Sequence, residues 1–589
     1  MKKYLSMLLV LTMLVTLFAG CAPGEDTPTN TADTDITATP APDNSAPDSS
    51  APVQEDSPYN FAAGNFPKDE RGIATEHYTY ELPLTTTDEV LTVWMNLYSP
   101  QYVPAEGYQA MALPAKDREL TGVNIEYTLV TTDSRRTNFS VLRAADDFND
   151  IMCYAANLYG GAETDIITEG YFVNLYDYRD YCPNYMYLVA NHDPSDVDTY
   201  DKVFLAEDMV ASMYIIYANP VINGAHFVRG DWMDEMGVDA SDIVTWDDLY
   251  ELLVRVKAEY ETCEYPFGLT NTIDMLNCYD FTSYDNLSYL AADYLGPYYL
   301  VDGKATFAHI NETDRSFVKE LHRFMDAGLI SPNWTAHTGG SSYRTMADNG
   351  ETFYYFMTCA DSQSSRFTNV DADCYWQLLG NPLRTEDQQL KVATKLSRTL
   401  GTCYNIASTC ENIELAVTWC DWCFSLEGGE LWSYGLEGEC WEYDENGNRV
   451  ASELILNEPN GLSVTWAINF YAGYTGGTAF LFYNRRNFMD PTTGADAWDV
   501  AMDILAWNQE HYDGSGTFPA GARLSDDDQE LVNSLSGDVA TYIAENYMLF
   551  VNQDLDIDSA WGEYIDGLYD IGMQDILDAY QRAYDAYIA

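Results

Sequence analysis

The alternation of strand and helix patterns between residues 90 and 153 constrains the fold of this chain more than any other feature. Val90–Tyr98 (VLTVWMNLY) and Gly122–Val130 (GVNIEYTLV) are rich in β-branched and aromatic residues, which predicts two strands. PAKDRELTG between them predicts a helix, and NFSVLRAADDFNDIMCYA predicts a second helix, a break and a third strand. Units of this length pair their strands in parallel through right-handed crossovers. The sequence therefore predicts an α/β fold built around a parallel sheet.

The segments after this unit add strands and amphipathic helices. Glu207–Pro220 predicts a pair of strands that Pro220 ends, and NIELAVTWCDWCFSLEGGELWSYG predicts one long helix. Thr245 and Asp248 have the spacing of a capping box, which predicts the start of a helix in VTWDDLYELLVRVKAEY. The C-terminal tail is predicted to be largely helical, with Ser525 as an N-cap. The buried face of the capped helix is predicted to consist of Leu249, Leu252, Leu253 and Val256.

The N-terminus has the pattern of an export signal followed by a tether. A basic start precedes an apolar run from Leu5 to Phe18, which is shorter than the about 20 residues that span a membrane. Small residues directly before Cys21 predict a lipoprotein signal peptide over residues 1–20, with Cys21 lipidated after cleavage. An ordinary signal with an incidental cysteine is the alternative. Residues 21–75 are predicted to form a disordered acidic tether, because their Thr-, Pro-, Asp- and Ser-rich start lacks an apolar face.

The formal net charge of −64 restricts the partners of the chain. A phosphate backbone and anionic lipid headgroups would be repelled, so we expect no nucleic-acid partner. The charge fits a secreted domain with a neutral or cationic ligand, and it leaves room for a locally basic pocket.

Motifs for phosphate binding and hydrolysis are absent from the sequence. It contains no GxxxxGK[ST] loop, no GxSxG elbow and no HExxH pair, and its seven histidines are scattered. No catalytic residue and no cofactor are therefore predicted. The 93 acidic residues supply many chance carboxylate pairs, so a glycosidase that uses two carboxylates stays an open alternative.

Two segments imitate metal sites without completing them. A group of four cysteines lacks the repeated CxxC spacing of a zinc site, which favours buried thiols or one or two disulfides. YDENGNRV copies the early ligands of a calcium loop, but Arg449 and Ile455 stand where its glycine and bidentate glutamate belong. That segment is instead predicted to form a hairpin with an Asn446–Gly447 turn, and no metal residue is predicted. The four cysteines are Cys403, Cys410, Cys420 and Cys423.

The aromatic content is the positive signal for a ligand. The chain has 13 Trp and 46 Tyr, and such rings stack on the apolar faces of sugars in secreted proteins. Because ligands of parallel α/β sheets lie beyond the carboxyl ends of the strands, aromatics at strand ends and breaks are the best candidates. These predicted ligand-binding residues are Trp94, Tyr98, Tyr154, Tyr214, Trp232, Trp334 and Trp376.

Four segments in order resemble the extracellular solute-binding proteins (family 1, large lipoprotein subgroup) of carbohydrate ABC transporters. They are FVRGDWMDEMGVDASDIVTWDDLYELLVRVK, GLISPNW, WCDWCFSLEGGELWSYGLEGECWEYDENGNRV and AWGEYIDGLYDIGMQDILDAYQRAYDAY. The resemblance runs from about Asn60 to the end of the chain. It adds two further ligand candidates: Arg229, which opens the first segment's Arg–x–Asp–Trp pattern, and Trp432, which is expected to border the cleft.

The resemblance implies a type II periplasmic-binding-protein fold with two lobes joined by a hinge, a helical C-terminal tail and no catalysis. We expect lobe 1 over residues 76–205 and 372–440 and lobe 2 over residues 206–371 and 441–589. The resemblance further implies a monomeric receptor, lipid-anchored on the extracellular face of the membrane, that delivers a neutral oligosaccharide to permease subunits. The alternatives are a secreted glycoside hydrolase and a binding protein for a peptide or another small solute.

Overall fold

The computed structural model describes most of the chain after residue 56. It describes residues 57–97, 102–131, 134–159, 162–191, 197–221, 224–269, 281–285, 298–336, 345–358, 369–391, 397–447, 449–459 and 510–589, with the single positions 362, 462, 467, 470 and 471. The leader, Cys21 and most of the predicted tether lie outside these residues, so the signal and lipidation stay predictions. Within the described part of the chain, no helix has the length and apolar character needed to cross a membrane.

The described body alternates short strands with helices. The strands are β1 (Val90–Leu97), β2 (Asn124–Thr131), β3 (Ile151–Cys153), β4 (Met213–Val221), β5 (Gly224–Arg229), β6 (Phe267–Gly268), β7 (Tyr299–Val301), β8 (Lys304–Thr306), β9 (Tyr354–Thr358), β10 (Trp376–Leu378), β11 (Ser397–Ile406), β12 (Trp441–Tyr443) and β13 (Arg449–Ala451). The helices are α1 (Ala112–Thr121), α2 (Arg135–Ala145), α3 (Ala155–Tyr159), α4 (Asp165–Thr168), α5 (Pro183–Ala190), α6 (Val197–Val203), α7 (Gly230–Met236), α8 (Trp246–Glu259), α9 (Glu312–Asp326), α10 (Ile413–Trp422), α11 (Leu426–Tyr434), α12 (Glu453–Leu456), α13 (Asp526–Val551), α14 (Ile557–Ile571) and α15 (Met573–Ile588).

Sheet 1 contains the predicted strand–helix–strand units. Its strand order is β2-β1-β3-β11-β4. β1 pairs in parallel with both β2 and β3, while β11 runs antiparallel to β3 and to β4. The parallel core predicted from residues 90–153 is therefore confirmed, and β11 arrives from more than two hundred residues later in the chain.

Sheet 2 is smaller and is built around β5 and β9. Its order is β10-β5-β9-β6, with β6 parallel to β9 and the other pairs antiparallel. One face, which includes Val228 and Tyr354, packs against α8, α9 and the C-terminal helices in a single apolar core. A second core around sheet 1 includes Val93, Ile151 and residues of α10. These two cores and their sheets form the two-lobe periplasmic-binding-protein fold with its helical C-terminal region.

The lobe boundaries in the structure differ from the predicted residue numbers. β4 is one strand rather than a pair, and it belongs to sheet 1 although the predicted boundary at residue 206 puts it in lobe 2. Pro220 lies inside β4, where an edge strand tolerates its missing N–H. The hairpin of β12 and β13 also packs on the core of sheet 1, through Trp441 and Ala451. Pairing with the distant strand β11 places β4 in sheet 1, and packing of Trp441 and Ala451 places the hairpin on the same core. Neither contact is visible in the local sequence pattern.

The folded body also begins earlier than the predicted tether allows. Ala62 and Ile73 are fully buried in the core of lobe 1, and Tyr59 bridges to Thr85. Asp69 binds the guanidinium of Arg71. Residues 57–75 therefore pack on lobe 1, because their few apolar side chains find a surface that the sequence alone does not display.

Local start signals are confirmed where they were strong. Thr245 accepts the Asp248 N–H and Asp248 accepts the Thr245 N–H, so the capping box of α8 is complete. Ser525 accepts the Asp528 N–H at the start of α13. The predicted long helix after Asn412 is instead two helices, because α10 ends at Trp422 and Ser425 caps α11.

Candidate functional site

The carboxyl ends of the parallel strands define the candidate ligand-binding edge of each lobe. In sheet 1, β1, β2 and β3 end at Leu97, Thr131 and Cys153. β4 ends at Val221 on the same side, and β5 of sheet 2 begins three positions later at Gly224. Gly224 pairs with Thr358 at the carboxyl end of β9, so the chain that leaves sheet 1 along β4 enters sheet 2 at the carboxyl end of β9. Ligands of open α/β sheets bind beyond such edges.

Tyr154 follows β3 directly at this edge and has an unusual backbone. Its φ of 59° lies in the left-handed region, which a residue with a large side chain rarely adopts. Its N–H donates to the Cys403 carbonyl at 2.9 Å, which locks the turn onto β11. Asn157, one helical turn further on, is exposed. Backbone strain of this kind is found at ligand sites, so Tyr154 is retained as a candidate.

A hydrogen-bonded group lies behind Tyr154. The Tyr214 hydroxyl and the Ser212 hydroxyl donate to the two carboxylate oxygens of Glu163, each at 2.8 Å. Asn405 donates to the Ser212 hydroxyl at 2.7 Å and accepts the Ala156 N–H. Burial and the neighbouring Glu163 carboxylate raise the pKa of Tyr214 well above its ordinary value, so its hydroxyl stays a neutral donor. Half-buried Glu163 and its donors form a rigid polar support for the edge.

Two buried polar side chains near this edge have unused hydrogen-bonding capacity. Asn96 is fully buried on β1, and within the described residues neither of its amide atoms has a partner. The Thr402 hydroxyl on β11 is also buried and unpaired within the described chain. Buried polar groups are normally satisfied, and exceptions mark sites where another group is expected.

Three predicted ligand-binding tryptophans lie in apolar cores instead. Trp94 is 0% exposed and donates its indole N–H to Asn138 at 2.6 Å. Trp334 is 2% exposed and donates to Asn552, and Trp432 is 1% exposed in the core of lobe 1. Rings enclosed by protein cannot stack on a ligand in this conformation. The sequence could not distinguish them, since an aromatic residue near a strand end can face either the core or the cleft.

A second group of predicted residues lies at the wrong end of sheet 2. Arg229 ends β5 and pairs with Trp376, beside the amino end of β9, so both lie opposite the candidate edge. Arg229 is fully buried and binds Asp231 and Asp371, with its Nη2 2.8 Å from the Asp371 Oδ2. Trp232 stacks on Tyr260 with ring centroids 3.9 Å apart. These contacts stabilise lobe 2, and they lie away from the candidate ligand-binding edge.

The remaining predicted positions have mixed outcomes. Tyr98 lies outside the described residues, directly after the end of β1. The predicted hairpin is confirmed as β12 and β13, with the Asp444 carboxylate accepting the Asn446 N–H at 2.8 Å. The nine described cysteines are all buried free thiols. Among the described residues, no group of three His, Cys, Asp or Glu side chains is placed to hold a metal ion.

Solved structures match this architecture across nearly their whole length. An extracellular solute-binding protein from Bifidobacterium longum subsp. infantis superposes with a TM-score of 0.66 and 16% identity, covering 85% of this chain and 100% of that one. The chain has the fold of ABC-transporter solute-binding proteins. An HMO-binding, ABC-transporter-associated solute-binding protein from Bifidobacterium longum infantis superposes with a TM-score of 0.62 and 15% identity. The match covers 85% of this chain and 99% of that one.

Further neighbours with the solute-binding-protein fold are named for other glycans. The alginate-binding protein AlgQ2 has a TM-score of 0.62 and 16% identity, covering 85% of this chain and 99% of its own. No protein-family model and no curated protein matches the chain. At these identities the solute-binding-protein fold is shown, and the ligand has to be argued from this chain's own residues.

Proposed function

We propose that this chain is the substrate-binding protein of an ABC importer and captures an oligosaccharide between its two lobes. One observation carries the proposal: the fold matches solute-binding proteins named for HMO and for alginate over 99% of their length. The neighbours are binding proteins of transporters, which favours capture over catalysis. The glycosidase alternative has no such support.

The two places where the chain changes sheet supply the hinge of the proposed mechanism, and residues 222–223 and 392–396 within them lie outside the described residues. β4 leads into β5, and β10 leads back into β11, so the chain passes between the sheets at two neighbouring places. A hinge needs only a few residues that absorb a backbone rotation, while each lobe moves as a rigid body. Closure would bring the carboxyl edge of sheet 2 over Tyr154 and enclose a bound sugar.

The candidate edge supplies both kinds of sugar contact. The half-buried Tyr154 offers a ring for stacking, while exposed Asn157 offers an amide for hydroxyl groups. Glu163 is already held by two hydroxyl donors, so it positions the edge and keeps a lone pair for a sugar hydroxyl. These residues replace the tryptophans of lobe 1 that the sequence had favoured.

Calorimetry with a panel of fructan, mannose-containing and uronate oligosaccharides tests this proposal. Tyr154→Ala should weaken the tightest-bound glycan by about 1–3 kcal/mol, the scale of losing a stacked aromatic contact. Tyr443→Ala is the matched control, because Tyr443 is 49% exposed on the distant hairpin and should leave the affinity unchanged. Saturable binding without products after long incubation is expected. Products that scale with protein concentration would favour the glycosidase.

The anchor and its location belong to the same proposal. The leader and Cys21 support a mature chain lipid-anchored on the extracellular face of the membrane, where a monomer would meet its permease. Cys21→Ser should abolish labelling by a fatty-acid analogue and release the protein. Continued labelling of that variant would contradict the anchor without affecting the sugar proposal.

A further inference from the structure

A cavity of about 330 Å³ lies between α1 and β2, the edge strand of sheet 1. Val90 and Asn124, which begin β1 and β2, both line it. The cavity therefore lies toward the amino ends of these strands and away from the candidate ligand-binding edge at their carboxyl ends. Its volume is within the range of sites that hold small organic molecules. The proposed sugar capture does not involve this cavity.

The Asp117 carboxylate in the wall of this cavity has one oxygen that is hydrogen-bonded and one that is not. Asp117 is 1% exposed, and its Oδ2 accepts the Trp419 indole N–H at 3.0 Å. The Trp432 indole lowers the pKa of this carboxylate, but its N–H does not reach hydrogen-bond geometry with Oδ1. Within the described residues, the buried Oδ1 has no hydrogen-bond partner. Buried polar atoms are normally paired, so an unpaired carboxylate oxygen on a cavity-lining residue indicates a site for an additional donor.

The rest of the wall combines apolar surface with groups that attract a cation. Asp88 supplies a second carboxylate in an exposed position, and the half-buried Tyr127 supplies an aromatic ring, whose face attracts positive charge. Arg118 also lines the cavity, but its exposed guanidinium leaves the Asp117 Oδ1 without a partner. The apolar part of the wall consists of Val90, Pro114, Val123 and Ile125.

We propose that this cavity binds a small organic cation, a protonated primary amine on a short apolar body, with the ammonium group donating to the Asp117 Oδ1. An ammonium group has three donors, so it can satisfy Oδ1 and still contact water or Asp88. Val90 is 53% exposed, and an apolar body would cover it together with Ile125. Hydrogen bonds between two charged groups are about twice as strong as those between neutral groups, which favours the amine over a hydroxyl.

The charge of the chain supports the same class of ligand. An anion in the cavity would face both Asp88 and Asp117, and the overall charge of −64 attracts cations to the surface. An ionised carboxylate in a buried position is costly unless a counter-charge is bound next to it. A cation would therefore stabilise the charged form of Asp117, whereas a neutral ligand would not.

The protonation state of Asp117 gives binding a characteristic pH dependence. Burial raises the pKa of Asp117 to about 7, so the carboxyl of the empty site is about half protonated at pH 7. Because a bound ammonium favours the carboxylate, binding at pH 7 should release part of a proton. The affinity should rise at least about tenfold from pH 5 to pH 8, as the binding-competent fraction increases.

Other titratable groups near Asp117 do not produce this dependence. Tyr127, Cys420 and Cys423 interact with its charge, and burial raises the pKa of each well above its ordinary value, so they stay neutral between pH 5 and pH 8. Asp88 and Arg118 are the other charged groups that line the described part of the cavity. A simple alkylamine has a pKa near that of lysine, about 10.4, so it stays protonated over the same range.

The test compares n-butylammonium with n-butanol, two probes of similar size that differ in charge. Each probe is titrated into the full-length protein by calorimetry at pH 8, and n-butylammonium is also titrated at pH 7 in two buffers of different ionisation enthalpy to measure proton release. The amine should bind at least about tenfold more tightly than the alcohol. Asp117→Asn should remove both the preference and the proton release, because Asn keeps the shape and an acceptor for Trp419 but carries no charge.

Glu119→Gln is the matched control for this test. Glu119 lies two residues further along α1, is exposed and does not line the cavity, so its substitution removes the same charge without changing the site. The preference and the proton release should both persist in this variant. Equal affinity of the wild type for both probes, or no binding of either, overturns the proposal. A preference that survives Asp117→Asn, or amine binding to the wild type without proton release at pH 7, also overturns it.

Discussion

Asp421 on α10 holds together three elements beneath the candidate edge, and its removal should destabilise lobe 1 strongly. The carboxylate is fully buried and accepts the Asn184 and Tyr185 N–H groups at 3.2 and 2.7 Å, together with the Tyr80 hydroxyl at 2.8 Å. The two amides start α5, so Asp421 caps that helix from another helix. Tyr185 in turn donates to the Ser212 carbonyl at 3.0 Å, next to Tyr214.

The magnitude follows from the groups left behind. Asp421→Ala removes the acceptor of two backbone N–H groups and of the Asn184 side-chain amide, while the Tyr80 hydroxyl keeps only its 3.3 Å contact with the Tyr181 carbonyl. Each unsatisfied group costs about 1–3 kcal/mol, although a variant cavity admits some water, so a loss of about 3–5 kcal/mol in the free energy of unfolding is expected. Sugar affinity should also fall, because Tyr185 then loses its fixed position behind Ser212.

Urea unfolding at pH 7.5, followed by tryptophan fluorescence, measures this loss. Asp444→Ala is the matched control, because Asp444 accepts a backbone N–H in an exposed hairpin turn. It should change the unfolding free energy by less than about 0.5 kcal/mol. If Asp421→Ala unfolds within about 1 kcal/mol of the wild type, the buried carboxylate does not act as a cap and the reasoning is wrong.

Three further predictions concern other parts of the body. Trp232→Ala should lower the free energy of unfolding by about 3–5 kcal/mol, because the stack on Tyr260 is lost. Sugar affinity should stay unchanged. Weaker sugar binding by a folded variant, measured by calorimetry, would show that Trp232 belongs to the binding site. Burial raises the pKa of Asp117 from 3.8 to about 7, so the folded state binds its proton more tightly and this contribution to stability is lost as pH rises from about 4 to about 7. Asp117→Asn should make the unfolding free energy fall less over that range, and identical pH profiles would rule the effect out. Gly428→Ala should destabilise lobe 1 by about 1–3 kcal/mol in urea unfolding, since the new Cβ would overlap the Trp422 carbonyl oxygen; unchanged stability would mean that the turn between α10 and α11 can relax.

The sequence by itself determined the elements whose signals are local. The strands β1 and β2 and the capping box of α8 depend on side chains within a few positions of each other, so the sequence alone is enough to predict them. The order of those patterns also predicted the α/β class, because parallel strands joined by helices have few ways to pack. The two-lobe fold was implied by the family resemblance.

Only the tertiary structure decided which residues form the candidate edge. Trp94 and Tyr154 both lie near strand ends, yet one is enclosed under α2 and the other turns outward with a positive φ. Arg229 was a predicted ligand residue, but in the structure its guanidinium binds Asp371, which lies 142 positions away in the chain. Burial and ion pairing depend on contacts between distant segments, and local sequence patterns do not contain those contacts.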